Sequence, residues 1–403
     1  MRPFDGRRIL LGVTGGIASY KSAMLARLLA QSGAEVDVVM TRAAQEFVGS
    51  ITFEAVTGRK TFSEIFGAGN ALDHIRLARE AAILVVAPAT ADFLARSAHG
   101  HADDLLTACL LANTAPVLLV PAMNDRMWAN AQTAQNVAHL RELGYSVLDP
   151  DDGPLAAGEG AGPGRMPEPE AIMAAMARML EPRGGLYGRT IVVTAGATRE
   201  PVDPVRFISN HSSGRMGVAL ADAAHRRGAE VTLVAGHLDV TAGSWLRVVR
   251  AATTANMLAA VEELLPASDV LIMAAAPADF RPAKPAARKI KKSSSSLPAA
   301  IELTQTEDII RSTASARRAG SVVVGFALET ENELANGAQK LREKRLDLVV
   351  VNSAVEDGAG FVSDTNRVTL LAPGEAAVHV PMMKKTELAD VILDRVESIL
   401  NGR

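Results

Sequence analysis

The residues best suited to chemistry lie within 194–217, TAGATREPVDPVRFISNHSSGRMG, directly after the apolar run Thr190-Ile191-Val192-Val193. A strand that ends in small residues and opens a helix presents free backbone N–H groups and the positive end of the helix dipole to an anion. Asn210, Ser212 and Ser213 add short side chains that can hydrogen-bond a phosphoryl oxygen. The stretch predicts a phosphate or acyl-phosphate cradle. A second glycine-rich turn, GVTGGIASYK at 12–21, also follows a strand-like run and opens a helix. It departs from the GxGxxG dinucleotide fingerprint, and Met40-Thr41-Arg42 stand where a ribose-binding acid would follow the second strand. A single phosphate on a helix N-terminus suits it better.

Turns of this kind need strands to hold them. Strand-like runs at 8–13, 35–40, 83–87, 117–120 and 146–148 alternate with helical patterning, which argues for a parallel sheet covered on both faces. The pattern restarts at 190–194, 230–234, 270–274, 322–326 and 348–351, each run apolar and β-branched. Between the series an Ala/Met-rich helix ends in the breaker Pro182-Arg183-Gly184-Gly185, where the domain boundary is expected. The segments 151–164 and 282–298, rich in Gly, Pro, Asp or Ser, read as solvated loops or as flaps over neighbouring sites.

A chain of 403 residues with 48% hydrophobic content suggests two domains of roughly 200 residues each. The formal charge of -3 supplies no global basic field, so no nucleic-acid partner is expected. A single cysteine, Cys109, excludes an intramolecular disulfide and a multi-cysteine zinc site and fits a reducing, cytoplasmic setting. Arg7-Arg8 before an apolar run imitates a secretion signal, but strand, turn and helix account for it and no cleavage is expected. No run reaches the ~18 apolar residues needed to span a bilayer, so no membrane partner is expected.

The string ISNHSSGRMG, with TAGATREPVDPVR before it and KIKK at 289–292 after it, resembles the ligase half of the bifunctional phosphopantothenoylcysteine decarboxylase/phosphopantothenate-cysteine ligases of coenzyme A biosynthesis. In the N-terminal half GVTGGIASYK, DHIRLA at 73–78, APATAD at 87–92, PAMN at 121–124 and GPGRM at 162–166 recur in that family's order. The resemblance implies an α/β protein of two doubly wound (Rossmann/flavodoxin-like) parallel-sheet domains in tandem: 1–181 an FMN-dependent decarboxylase, 182–188 a linker, 189–403 a CTP-dependent ligase. It also implies a homo-oligomer, a dodecamer built from trimers of the flavin module and dimers of the ligase.

For the first half the resemblance places Gly15, Gly16, Ser19 and Thr41 near the FMN phosphate and Ala89 and Thr90 near the flavin. His74, in a segment expected as a short strand or loop edge, would assist oxidation of the substrate thiol by the flavin; a lone histidine is otherwise a surface or satisfied core residue. Asn124 would donate to the substrate carboxylate; otherwise it forms a turn. Where relatives carry Ala-Cys-Gly before GPGRM, this chain reads Ala156-Ala157-Gly158. Ala157 cannot give the proton that the family's cysteine is taken to give, and Cys109, in LLTACLLAN, has the pattern of a buried helix.

For the second half it implies that Asn210 binds the acyl-cytidylate and that Lys289 stabilises charge as it forms or reacts. Asp279 would hold the ribose or a magnesium ion, Lys340 and Lys344 would reach the CTP phosphates, and Phe326 would pack near the base. Lys340 and Lys344, four apart on an expected helix, repel unless an anion lies between them. The substrates would be 4'-phosphopantothenate, L-cysteine and CTP, with FMN and Mg2+ as cofactors. Two alternatives stay open: a ligase whose flavin half is impaired at Ala157 and serves assembly, and a flavin-binding scaffold without catalysis.

Overall fold

Runs such as RILLGV at Arg8–Val13 and ILVVAPA at Ile83–Ala89 are apolar at every position, as strands covered on both faces must be. A computed structural model places them at the centre of their sheet; it describes residues 3–66, 72–155, 158, 160–291, 300–329, 331–353 and 363–402. The chain divides into two units, Met1–Pro182 and Arg183–Arg403.

The first unit holds a six-stranded parallel sheet in the order Thr61–Phe62, Glu35–Met40, Arg8–Val13, Ile83–Ala89, Val117–Pro121, Ser146–Val147. The winding reverses between Arg8–Val13 and Ile83–Ala89, so a crevice opens beyond the carboxyl ends of those two strands. Leu25 and Leu29 of the helix Ser19–Gln31 and Ile172 and Met176 of Pro169–Leu180 cover one face of the sheet. Leu77, Phe93, Leu94 and Leu106, from the helices Asp73–Glu80, Ala91–Ala98 and Leu105–Ala112, cover the other.

Two expectations change here. The DHIRLA segment, expected as a short strand or loop edge, is the start of the helix Asp73–Glu80. Asp73 lies in its first turn and pairs with Arg76 at 2.9 Å, and Arg76 reaches Glu80 at 3.4 Å, so local charge pairs at helical spacing favour the helix. The 151–164 segment forms an antiparallel hairpin, Asp151–Pro154 against Ala161–Arg165. Ala157, the flap position, lies outside the described residues.

The second unit repeats the winding and extends it. Its sheet runs Arg247–Arg250, Glu230–Ala235, Thr190–Ala195, Val270–Met273, Val322–Glu329, Leu348–Ser353, Thr365–Leu371, Val378–Lys384. The first six strands are parallel and the last two antiparallel, so this sheet is mixed and not purely parallel. Pro381 falls in the outermost strand, where a missing N–H breaks no central ladder. The last helix, Lys385–Asn401, buries Leu388, Ala389, Ile392, Leu393 and Val396, a stripe at helical spacing that seals the core together with Leu220 and Ala224 of Arg215–Arg226. Leu186, inside the expected linker 182–188, is fully buried in this core. Among the described residues no helix is long and apolar enough to cross a membrane.

Candidate active sites

In the first unit a cleft of about 700 Å³ lies at the winding reversal, lined by Thr14, Gly15, Thr41, Thr90, Arg96 and Asp104 among others. Gly15 is required there: a Cβ at that position would stand 2.5 Å from Ala43 Cβ and 3.0 Å from the Ala43 carbonyl oxygen. Thr41 caps the short helix Arg42–Glu46, its Oγ1 accepting from Ala44 N at 3.2 Å; Thr90 caps Ala91–Ala98 by accepting from Phe93 N at 3.3 Å. Gly16 faces Thr90, whereas the Ser19 hydroxyl is buried and donates to the Thr14 and Gly16 carbonyls, outside the cleft lining. Ala89 is buried, and its carbonyl accepts from Ala122 N at 3.2 Å.

Sequence reasoning passed over Thr14. Its Oγ1 donates to the Pro88 carbonyl at 2.8 Å and accepts from Thr90 N at 3.1 Å, latching the glycine-rich turn to the loop beyond the fourth strand. The signal was present: a threonine stands at a strand end just ahead of the glycine-rich turn, and the second unit has a similar threonine two residues before Gly196. There Thr194 Oγ1 accepts from Ala275 N at 3.1 Å. Arg96, which ion-pairs with Asp104 at 2.9 Å, was also passed over; it looked like an ordinary helix surface charge.

His74 is half-buried on the helix Asp73–Glu80, and its Nδ1 is a buried atom without a hydrogen-bond partner. Asn124 caps Asp125–Trp128: its Oδ1 accepts from Arg126 N at 2.9 Å, which leaves the amide Nδ2 as the group to offer. Neither residue lines the cleft described above. Cys109 is completely buried in Leu105–Ala112, and burial pushes its thiol up to about 12, so it is neither a nucleophile nor a convenient acid.

The second cleft, about 550 Å³, also sits at a winding reversal, between Thr190–Ala195 and Val270–Met273. Gly217 lets the helix Arg215–Arg226 start against the strand end, since a Cβ would lie 2.5 Å from Ala195 Cβ and 2.9 Å from the Thr194 carbonyl. Ser212 and Ser213 are buried in the lining. Asn210 differs from expectation. Its Nδ2 donates to the Ala276 and Pro277 carbonyls at 3.0 Å each, so it has no donor left for a phosphoryl oxygen and offers Oδ1, an acceptor.

Asp279, Phe326, Lys340 and Lys344 all line this cleft. Lys340 Nζ donates to the Phe326 carbonyl, and burial, with Lys344 nearby, holds its ammonium below the usual lysine range. Lys344 ion-pairs with Asp308 at 2.9 Å. Protein groups thus partner both cations, while the expected Lys340–Lys344 repulsion persists in the lowered Lys340 ammonium. Burial opposes ionisation of Asp308, but the bonds from Lys344 and Arg311 N and the charges of those two residues together outweigh it and keep the carboxyl below its ordinary range.

Lys289 is not brought to the cleft. It is exposed on the strap that follows Phe280–Pro282, and that strap is moored elsewhere: Ile290 N donates to Asp203 Oδ2 at 3.1 Å and Ala286 N to the Val202 carbonyl at 2.9 Å. Sequence reasoning also missed Arg215, Asn352, Asn366 and Lys385, which line the cleft. Lys385 opens the terminal helix, and burial, with Arg215 nearby, lowers its ammonium to about 8. Among the described residues no three His, Cys, Asp or Glu side chains gather as a metal site.

Residues 2–181 match the family described as Flavoprotein, and residues 186–400 match the DNA/pantothenate metabolism flavoprotein C-terminal domain. The chain is 43% identical over 413 residues to a Mycobacterium tuberculosis protein named Coenzyme A biosynthesis bifunctional protein CoaBC, covering 98% of this chain and 97% of that one. A Vibrio vulnificus protein of the same name is 41% identical over 403 residues, covering 99% of this chain and 100% of that one. Among solved structures, the C-terminal domain of a protein of that name is similar at 34% identity and a TM-score of 0.47, over 55% of this chain and 100% of that chain. A PPC decarboxylase mutant complexed with pantothenoylaminoethenethiol is similar at 30% identity and a TM-score of 0.38, over 42% of this chain and 96% of that chain. With relatives matched along nearly their whole length and two family profiles in tandem, the chain belongs to the bifunctional phosphopantothenoylcysteine decarboxylase/phosphopantothenate-cysteine ligase family of coenzyme A biosynthesis.

Proposed function

We propose that the second unit joins 4'-phosphopantothenate to L-cysteine with CTP. The substrate carboxylate attacks the α-phosphorus, pyrophosphate leaves, and the cysteine amine then displaces CMP from the acyl carbon. The observation that carries this reading is the second cleft itself. A helix N-terminus opened at Gly214 and Gly217 faces anions, while Asp279, Lys340 and Lys344 line the same space. Asn210, anchored through its donors, turns its Oδ1 to the N–H of the incoming amine and holds it near the acyl carbon. Asp279 supplies an oxygen to the magnesium that travels with CTP, an ion that keeps most of its ligands as water and phosphate. Lys289 contributes charge once the strap brings it inward.

The first unit then decarboxylates the product to 4'-phosphopantetheine. The cleft fits a flavin mononucleotide: Gly15 lets the glycine-rich turn pack tightly against Ala43, and Gly15, Thr41 and Thr90 line the space beside it. The flavin, when bound, supplies the oxidation of the thiol that makes loss of carbon dioxide easy. His74 Nδ1, buried and without a partner, is the group available to move a proton. Asn124 Nδ2, freed by the cap on Oδ1, holds the substrate carboxylate.

Incubation with phosphopantothenate, cysteine and CTP, followed by mass spectrometry, tests both halves. Phosphopantothenoylcysteine should appear first and phosphopantetheine after it. Absence of CTP-dependent coupling would overturn the ligase assignment. One observation favours a second reading of the first unit: Ala157 replaces the family's cysteine, and Cys109 is buried with a raised pKa. Carbon dioxide release without phosphopantetheine accumulation is the outcome that distinguishes it. Exposed Ile17, Tyr20 and Met24 beside the glycine-rich turn offer an apolar surface for subunit contact in the proposed cytoplasmic dodecamer, whose size light scattering would measure.

A further inference from the structure

Lys21 is a cation where a cation is costly. It is the third residue of the helix Ser19–Gln31, which opens at the glycine-rich turn, and only 4% of it is exposed. Its Nζ donates to the Met166 carbonyl at 2.7 Å and to Glu168 Oε1 at 3.0 Å, and Glu168 also pairs with Arg165. Arg165 ends the hairpin strand Ala161–Arg165, and Glu168 immediately precedes the helix Pro169–Leu180. One ammonium therefore fastens the chain leaving the hairpin onto the helix of the glycine-rich turn.

Filling space does not require a charge here. Removing an ion from water costs several kcal/mol, and replacing buried ion pairs by apolar residues is often neutral or stabilising. What lysine adds over methionine is direction, since its donors have two defined targets. The far side of the hairpin is fixed independently. Met123 N donates to the Gly164 carbonyl at 3.0 Å, and a Cβ on Gly164 would stand 2.2 Å from the Met123 carbonyl oxygen, beside Asn124. The hairpin thus bridges the Asn124 loop and the glycine-rich turn, and Lys21 makes the bond on the second side.

We infer that Lys21 is a positioning residue: through Met166 and Glu168 it sets the angle of the hairpin relative to the glycine-rich turn without touching substrate. Only the kinetic consequence rests on the decarboxylase reading. The test uses the full chain with Lys21→Met, Lys21→Arg and Glu168→Gln. In Lys21→Met, hydrogen exchange at the Leu155 and Met123 amides should quicken tenfold or more while the amides of strand 9–13 stay protected. KM for the acylcysteine substrate should rise about tenfold with kcat within about twofold. Lys21→Arg should restore part of both, and Glu168→Gln should shift both in the same direction by less. Unchanged exchange in the hairpin, or a rise spread evenly over the unit, would overturn the inference. If Lys21→Met does not fold, Glu168→Gln decides by the same readouts. If the wild-type chain neither binds flavin nor decarboxylates, that reading fails, and exchange still decides the role of Lys21.

Discussion

Asn210 shows how a single side chain narrows the chemistry. With both amide hydrogens on the Ala276 and Pro277 carbonyls, its acceptor is fixed in place. Asn210→Ala should lower cysteine-dependent formation of phosphopantothenoylcysteine by a hundredfold or more, on the scale of losing one preorganised polar group, and leave decarboxylation of supplied phosphopantothenoylcysteine unchanged. Equal loss of both activities would refute the assignment. Gly15→Ala acts by volume: its Cβ would meet Ala43, so the first unit should lose about 1–3 kcal/mol of stability and at least tenfold in flavin affinity, read by fluorescence quenching. Asp222 belongs to stability and not to either site. Burial raises its carboxyl to about 6, against the single bond from Trp245 Nε1 at 3.0 Å. A folded pKa above the unfolded one means that the stabilisation is full below about pH 4 and is lost as pH rises through 6. Asp222→Asn keeps the acceptor, so it should be more stable than wild type by on the order of 2–3 kcal/mol at pH 7.5, the gap closing toward pH 4; a constant gap in urea melts would contradict this.

At the scale of elements, both sites depend on a helix that begins very close to a strand end. Gly217→Ala would push Arg215–Arg226 away from the Thr194 carbonyl, so KM for CTP should rise about tenfold or more while the first unit's activity holds; an unchanged KM would show that the close approach is dispensable. These strand–turn–helix junctions were legible in the sequence because central parallel strands are unbroken apolar runs and glycine marks each approach. The edges were not. Arg247–Arg250 offers only Val248 and Val249 between two arginines, and Thr365–Leu371 and Val378–Lys384 alternate like surface segments, so the antiparallel end of the second sheet left no continuous signal. The helix at His74 was missed because it is short and mostly polar: only Leu77 and Ala78 are buried, and charge pairs support the rest. Residues that line the clefts were legible where they sit on motifs, as at Asn210 and Gly15. What each side chain binds, as with Lys344 on Asp308 or the strap of Lys289 on Asp203, depends on partners dozens of residues away.

Over the whole molecule, each unit has its own two-faced core, with Leu25 and Phe93 in one and Leu220 and Val261 in the other. Expressed separately, 1–182 and 183–403 should each fold, the second retaining pyrophosphate release and the first retaining flavin binding; an insoluble second fragment would show that its core needs the first unit. The terminal helix carries a different implication. Its buried face reaches Val396, and its acidic side meets Arg226 and Arg227 through Asp390 and Glu397. During synthesis the first unit has its full complement of strands long before Lys385–Asn401 leaves the ribosome, whereas the second stays open along one side of its sheet until that helix emerges. A stop codon at Lys385 would release a chain with one finished half and one unroofed half, a natural target for quality-control proteases.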